Sequence, residues 1–100
     1  MSAIKQADVP ALAGLEDRDY RALAERMTVF AVAPGVFDVV AEGPTYRVDL
    51  QAGVCECADS QYRGVECKHQ RRVRFVTGAR DIPAGVEPVG DMTLYHGDTR

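Results

Sequence analysis

The sequence predicts an α+β domain: an N-terminal helix, a three-stranded antiparallel β-sheet, a Cys-x-Cys knuckle and a C-terminal helix. Three observations predict it. Residues 45–51 alternate strictly, with Tyr46, Val48 and Leu50 on one side and Thr45, Arg47, Asp49 and Gln51 on the other. That is the period-two pattern of a half-buried strand. Tyr20, Leu23, Ala24 and Met27 recur at i, i+3, i+4 and i+7, which lines one face of a helix. Cys55-Glu56-Cys57 and Cys67-Lys68-His69 gather three thiols and one imidazole within residues 55–69, a full ligand set for one tetrahedral zinc ion.

Length and composition set the frame. One hundred residues, 46% of them apolar, read as one globular domain. Such a chain hides only about 60–70% of its unfolded surface, so a structural metal adds much to a small core. The first residues lack the charged, apolar and small-residue regions of a signal peptide. The longest apolar run, residues 29–37, holds Pro34 and Gly35 and is too short to span a bilayer. The expectation is therefore a cytoplasmic protein with no membrane contact. Three cysteines are an odd number, which excludes a closed disulfide framework within one chain, and clustered thiols in a reducing compartment point to metal.

Taken in order, residues 1–15 read as a flexible N-terminal segment, with Pro10 and weak periodicity. Residues 16–27 read as a packing helix, with Asp17 as its N-cap, Asp17 and Asp19 favourable in the first turn and Arg26 in the last. Residues 28–33 and 36–42 are strand-like runs divided by Pro34-Gly35, and Gly43-Pro44 leads into the alternating strand 45–51. Three strands in series with short turns read as an antiparallel meander. Residues 58–66, with Asp59, Ser60 and Gly64, read as a loop. Residues 67–77 read as the second helix, closed by Gly78 as the residue just past its end. The zinc-binding domain is thus 16–78, and residues 79–100, broken by Pro83 and Pro88, read as an extended, partly packed C-terminal tail with a mobile end.

The spacing of the four ligands has a geometric meaning. Residues two apart in extended chain point to the same side, so Cys55 and Cys57 can share an ion if the backbone there is strand-like. Two residues of helix span about 200°, so Cys67 and His69 cannot share a helical face. Cys67 is therefore expected in non-helical backbone, with His69 in the first turn behind it. His69, Val73 and Val76 then face the metal and the sheet, and Lys68, Arg71, Arg72 and Arg74 point mostly to solvent. A closed Cys3His set leaves no open coordination position, which argues for a structural ion and against hydrolysis. The competing reading is a cluster of buried or redox-active thiols. Lys68 and Arg63 nearby favour the thiolate form that a metal requires.

Cys-x-Cys, a variable gap and Cys-x-His together resemble the SWIM-type zinc finger. The context is similar too: a Tyr46-x-Val48 strand, Gly53 before the first pair and Gly64 three residues before Cys67. The resemblance covers about residues 45–77. Gly64 to His69 and Arg71-Arg72-Val73-Arg74-Phe75 resemble small SWIM-type proteins of haloarchaea. One departure is Ala58, where proline often follows the second cysteine of the motif. The resemblance implies a ββα zinc module with Cys55, Cys57, Cys67 and His69 as ligands. It also implies association with DNA or with protein complexes acting on DNA in archaeal and other settings.

Charge distribution gives the partner expectation. Net charge is −3, yet residues 63–80 hold six basic groups and one acidic. Arg63, Lys68, Arg71, Arg72, Arg74 and Arg80 are therefore the candidate nucleic-acid contacts. The alternatives are a solvated helix face with cations near its negative end and a protein-interaction adaptor that makes no nucleic-acid contact. No enzyme is expected and no small-molecule substrate. A P-loop, a nucleotide-binding glycine fingerprint and the zinc-deaminase pattern are all missing from the sequence. His96, the second histidine, is not expected to bind metal.

Overall fold

The computed structural model describes residues 15–96, so the expectation for residues 1–14 lies outside the described residues. Helix α1 spans Asp17–Ala24. Its N-cap is Glu16 rather than Asp17, in extended backbone. The Glu16 N–H donates to the Asp19 carboxylate at 2.8 Å, so the residue at N3 closes the cap. The helix ends three residues earlier than its apolar spacing predicts, because Glu25 turns to extended backbone. Met27 is still buried, but in the sheet-side core.

Strands β1 (Thr28–Ala33), β2 (Val36–Val40) and β3 (Thr45–Asp49) form the predicted antiparallel meander. Among the described residues the sheet nevertheless has five strands, in the order β4-β3-β2-β1-β5. Strand β4 (Val54–Cys55) pairs antiparallel with β3, and β5 (Leu94–His96) runs parallel to β1. The three-stranded expectation is corrected on this point. Segments of two and three residues are too short to show an alternation, and β5 falls in the stretch expected to be a tail.

Two helices follow β4. Helix α2 (Ala58–Arg63) occupies the stretch expected as loop, and Gly64 closes it in left-handed backbone at φ 64°. Helix α3 (Lys68–Thr77) follows, closed by Gly78 at φ 84°, as its sequence predicts. Only glycine takes this conformation without strain between side chain and backbone.

Helix α3 is central. One side packs Val73 into a core with Met27, Val29, Phe37, Val39, Val48 and the three cysteines. The other packs Phe75 against Ala22 and Leu23 of α1, flanked by Ile82, Val86 and Met92. The segment after Gly78 is therefore partly structural, and its Val89 N–H donates to the Leu23 carbonyl at 2.7 Å.

Because α1 covers the second side of α3, Arg71 and Arg72 are buried and do not face solvent. The expectation that this helix side is solvated is corrected. Arg71 donates to Glu16 and Asp19 and to the Glu66 carbonyl. Arg72 is fully buried and donates to the carbonyls of Ala22, Glu25, Met27 and Val89 at 2.8–3.2 Å.

Asp19 is the acidic centre of this contact, 1% exposed and paired with Arg71 and Arg80. Burial alone would raise its pKa. The Glu16 N–H, Arg80 and Arg71 outweigh burial and hold the carboxyl below its ordinary value. A group with a depressed folded pKa contributes stability above its unfolded pKa, about 3.9, and loses it as pH falls through the folded value. Asp19→Asn is therefore expected to cost about 3 kcal/mol at pH 7. The gap between parent and variant should close as pH drops below about 4, read from thermal melts of both across acid pH. A gap that stays constant to low pH would contradict this.

Candidate metal centre

Four side chains converge between the sheet and the start of α3. Cys55 ends β4 opposite Val48 on the covered face of β3. Its N–H donates to the Ser60 hydroxyl at 3.1 Å. Cys57 is the N-cap of α2, in extended backbone, and its sulfur accepts the Ser60 N–H at 3.4 Å. The strand-like backbone that a Cys-x-Cys pair requires is present at both cysteines.

Cys67 is the N-cap of α3 at φ −77° and ψ 174°. It lies in non-helical backbone, as its spacing from His69 demands. Its N–H donates to the Gln70 side chain at 2.9 Å, and its carbonyl accepts from Arg71. His69, in the first turn, sets Nδ1 3.7 Å from the Cys55 sulfur and 3.8 Å from the Cys67 sulfur. The Tyr46 ring stacks on the imidazole at 4.2 Å and fixes its plane.

The donor atoms of Cys55, Cys57, Cys67 and His69 all lie within 4.8 Å of one another, and all four residues are buried. Bond lengths of about 2.3 Å to sulfur and 2.0–2.1 Å to nitrogen require tetrahedron edges of roughly 3.5–3.8 Å. The two sulfur–nitrogen separations already match. The set therefore fits one tetrahedral ion that favours soft thiolate and imidazole ligands.

Interaction with the neighbouring Cys55, with His69 and the Gln70 N–H helping, draws the Cys67 thiol down to about 4 against the opposing effect of burial. The same interaction and burial push Cys55 far above the ordinary thiol range. Cys57 is raised, mainly by burial.

The six basic candidates are not gathered into one patch. Arg71 and Arg72 are buried under α1. Lys68 pairs with Glu25 at 2.6 Å, Arg80 with Asp19 at 2.5 Å, and Arg74 with Glu66. Arg63, 72% exposed, lies 3.6 Å from Asp59 on its own helix. Arg18 of α1 also reaches Asp59, through two bonds of 2.8 and 2.9 Å.

Ser60, Gln70 and Tyr46 support the site, and the ligand motif itself does not point to them. The signal for Gln70 was present: Gln three positions after an N-cap residue is a capping box, here with cysteine in the cap position. Ser60 looked like a turn former. Ser60→Ala removes the acceptor of the buried Cys55 N–H, so metal affinity is expected to fall about 10–100-fold. Competition against a chromophoric chelator measures this, and unchanged affinity would remove Ser60 from the site.

Among the described residues no helix is long and apolar enough to cross a membrane. No family model matches the chain, and neither the curated proteins nor the solved structures supplied a match.

Proposed function

We propose that this chain is a SWIM-type module in which one structural zinc ion pins sheet to helix, and that it works by binding another protein. The buried, closed Cys3His cluster carries the reading. Three thiolates and an imidazole leave no open position for substrate or water, so the ion serves folding and not catalysis. The motif order adds support: a strand before the first pair and a helix opening on the second.

The choice of a protein partner over DNA rests on where the cations are. Phosphate recognition needs lysine and arginine side chains free to meet the backbone. Here Arg71 and Arg72 are buried, and Lys68, Arg74 and Arg80 are engaged by carboxylates of the same chain. Association with a DNA-bound complex is compatible with this, through its proteins.

Elemental analysis should give one zinc per chain. Cross-linked capture from native cells should recover a specific protein that is lost with Cys67→Ser, and DNA or RNA should show no mobility shift at physiological salt. A salt-sensitive shift abolished by Arg63→Ala with Arg74→Ala would return the chain to the nucleic-acid reading.

A further inference from the structure

Among the described residues, the helices lie on one face of the sheet. The core clusters in which they take part hold Val29, Phe37, Val39, Val48 and Cys55. The residues between them in register point the other way. There, one row crosses the sheet: Tyr95, Phe30, Asp38 and Arg47 are successive cross-strand partners, and the Glu56 N–H donates to the Arg47 carbonyl while its carboxylate accepts the Arg47 N–H. Phe30 and Tyr95 bring their rings to 5.4 Å at one end. Val36 and Val54 flank Asp49 in the adjacent row. Val40, Val54 and Tyr95 are 37%, 51% and 38% exposed, high values for apolar residues on one continuous surface.

The charge on this face is one-sided. Among the described residues Arg47 is its cation; both of its side-chain bonds go to Asp38, and Glu56 is also within its electrostatic reach. Asp49, Glu56 and Asp91 remain. Asp49 accepts the Ala52 N–H, and Glu56 accepts the Arg47 N–H through one oxygen. Asp91 accepts from the Tyr95 hydroxyl and the Thr93 N–H. A hollow of about 460 Å³ opens at the β4 edge of the sheet, lined by Arg47, Asp49, Val54 and Glu56 on this side and reaching Cys55, Ser60 and Gln61 at its base.

We propose that this uncovered sheet face is the docking surface, and that its partner is a protein segment in which lysine or arginine alternates with apolar residues. The proposal rests on the protein-binding reading above and names the surface and the partner's chemistry. Apolar side chains of the segment cover Phe30, Val36 and Val40. One basic side chain enters the hollow beside Asp49 and Glu56. Another meets Asp91 and the ring pair, where cation and aromatic face attract. Phosphate backbones and anionic lipid are repelled by the same carboxylates. A second copy of the chain would set acidic face against acidic face, which opposes association.

The test uses the full zinc-loaded chain, isotope-labelled for NMR, with two synthetic peptides: alternating lysine and valine, and alternating glutamate and valine. The lysine peptide is expected to shift the amides of Phe30, Asp38, Arg47, Val54 and Tyr95 saturably, and the glutamate peptide to leave them unmoved. Asp49→Lys combined with Glu56→Lys should weaken the lysine peptide at least about tenfold while zinc content stays at one per chain. Equal binding of both peptides, or no saturable shift with either, overturns the proposal. Shifts confined to α3 overturn this surface but leave the protein-binding reading standing. Concentration-dependent self-association through the same amides assigns the face to a second copy instead. The protein-binding reading fails separately, when capture recovers no protein and nucleic acid binds.

Discussion

Removing the metal with a strong chelator is expected to unfold the protein. Cys55, Cys57 and Cys67 are members of the sheet-side core, and His69 is stacked beneath Tyr46. The ion would therefore tie together the end of β4, the starts of α2 and α3, and the apolar layer between them. Binding of structural zinc to such sets contributes roughly 10–16 kcal/mol, against a usual total stability of about 5–15 kcal/mol. Circular dichroism should show loss of helix on chelation and recovery on adding one equivalent of zinc. Cys67→Ser should behave like the chelated protein even with zinc in excess. A melting curve unchanged by chelator would mean that the four side chains are an ordinary buried cluster and would remove the basis of the functional reading.

The second large effect is expected from Arg72. Its guanidinium is completely buried and donates to four backbone carbonyls, three of them at and beyond the end of α1. No ion pair to Arg72 occurs among the described residues, and its Nε finds no partner there. Burial lowers its pKa, to about 10, with Asp91 opposing. The charge is held by carbonyl oxygens and by the negative end of α1. Arg72→Met keeps the stem but strands those carbonyls, and should cost about 3–5 kcal/mol, a fall in Tm of at least about 12 °C for a domain of this size. Arg72→Lys should recover only part, since an ammonium group lacks the planar fork. A Tm within a few degrees of the parent for Arg72→Met would show that this side chain does not bind α1.

The metal site and Arg72 mark the limits of what the sequence discloses. The backbone at Cys67 and His69 is legible because helix geometry forbids two ligands at i and i+2 on one face, a purely local argument. The start of β1, the alternation of β3 and the stop at Gly78 were legible for the same reason. Arg72 was not, because its partners lie at positions 22, 25, 27 and 89, and nothing local tells a buried arginine from a solvated one. Asp19 and Arg71 share that difficulty: each looks like a surface charge until α1 lies on α3. Helix α2 was hidden by its composition, since Asp59 and Ser60 favour turns as much as helix starts. The strands β4 and β5 carry no periodic signal of their own. They exist because β3 and β1 offer unpaired edges to chain that tertiary packing brings alongside.

The parallel pairing of β5 with β1 bears on the order in which the molecule forms. Val29 and Leu94 are register partners, so the sheet closes only when chain from nearly opposite ends of the described region meets. Such long-range closure carries the largest loop entropy and comes late. The hairpins of β1 to β4 and the ligands Cys55 to His69 are contiguous in sequence, so the metal site can form before β5 reaches β1. Metal capture then precedes edge closure, and the unfinished edge of β1 is the part of the folding protein most open to mispairing.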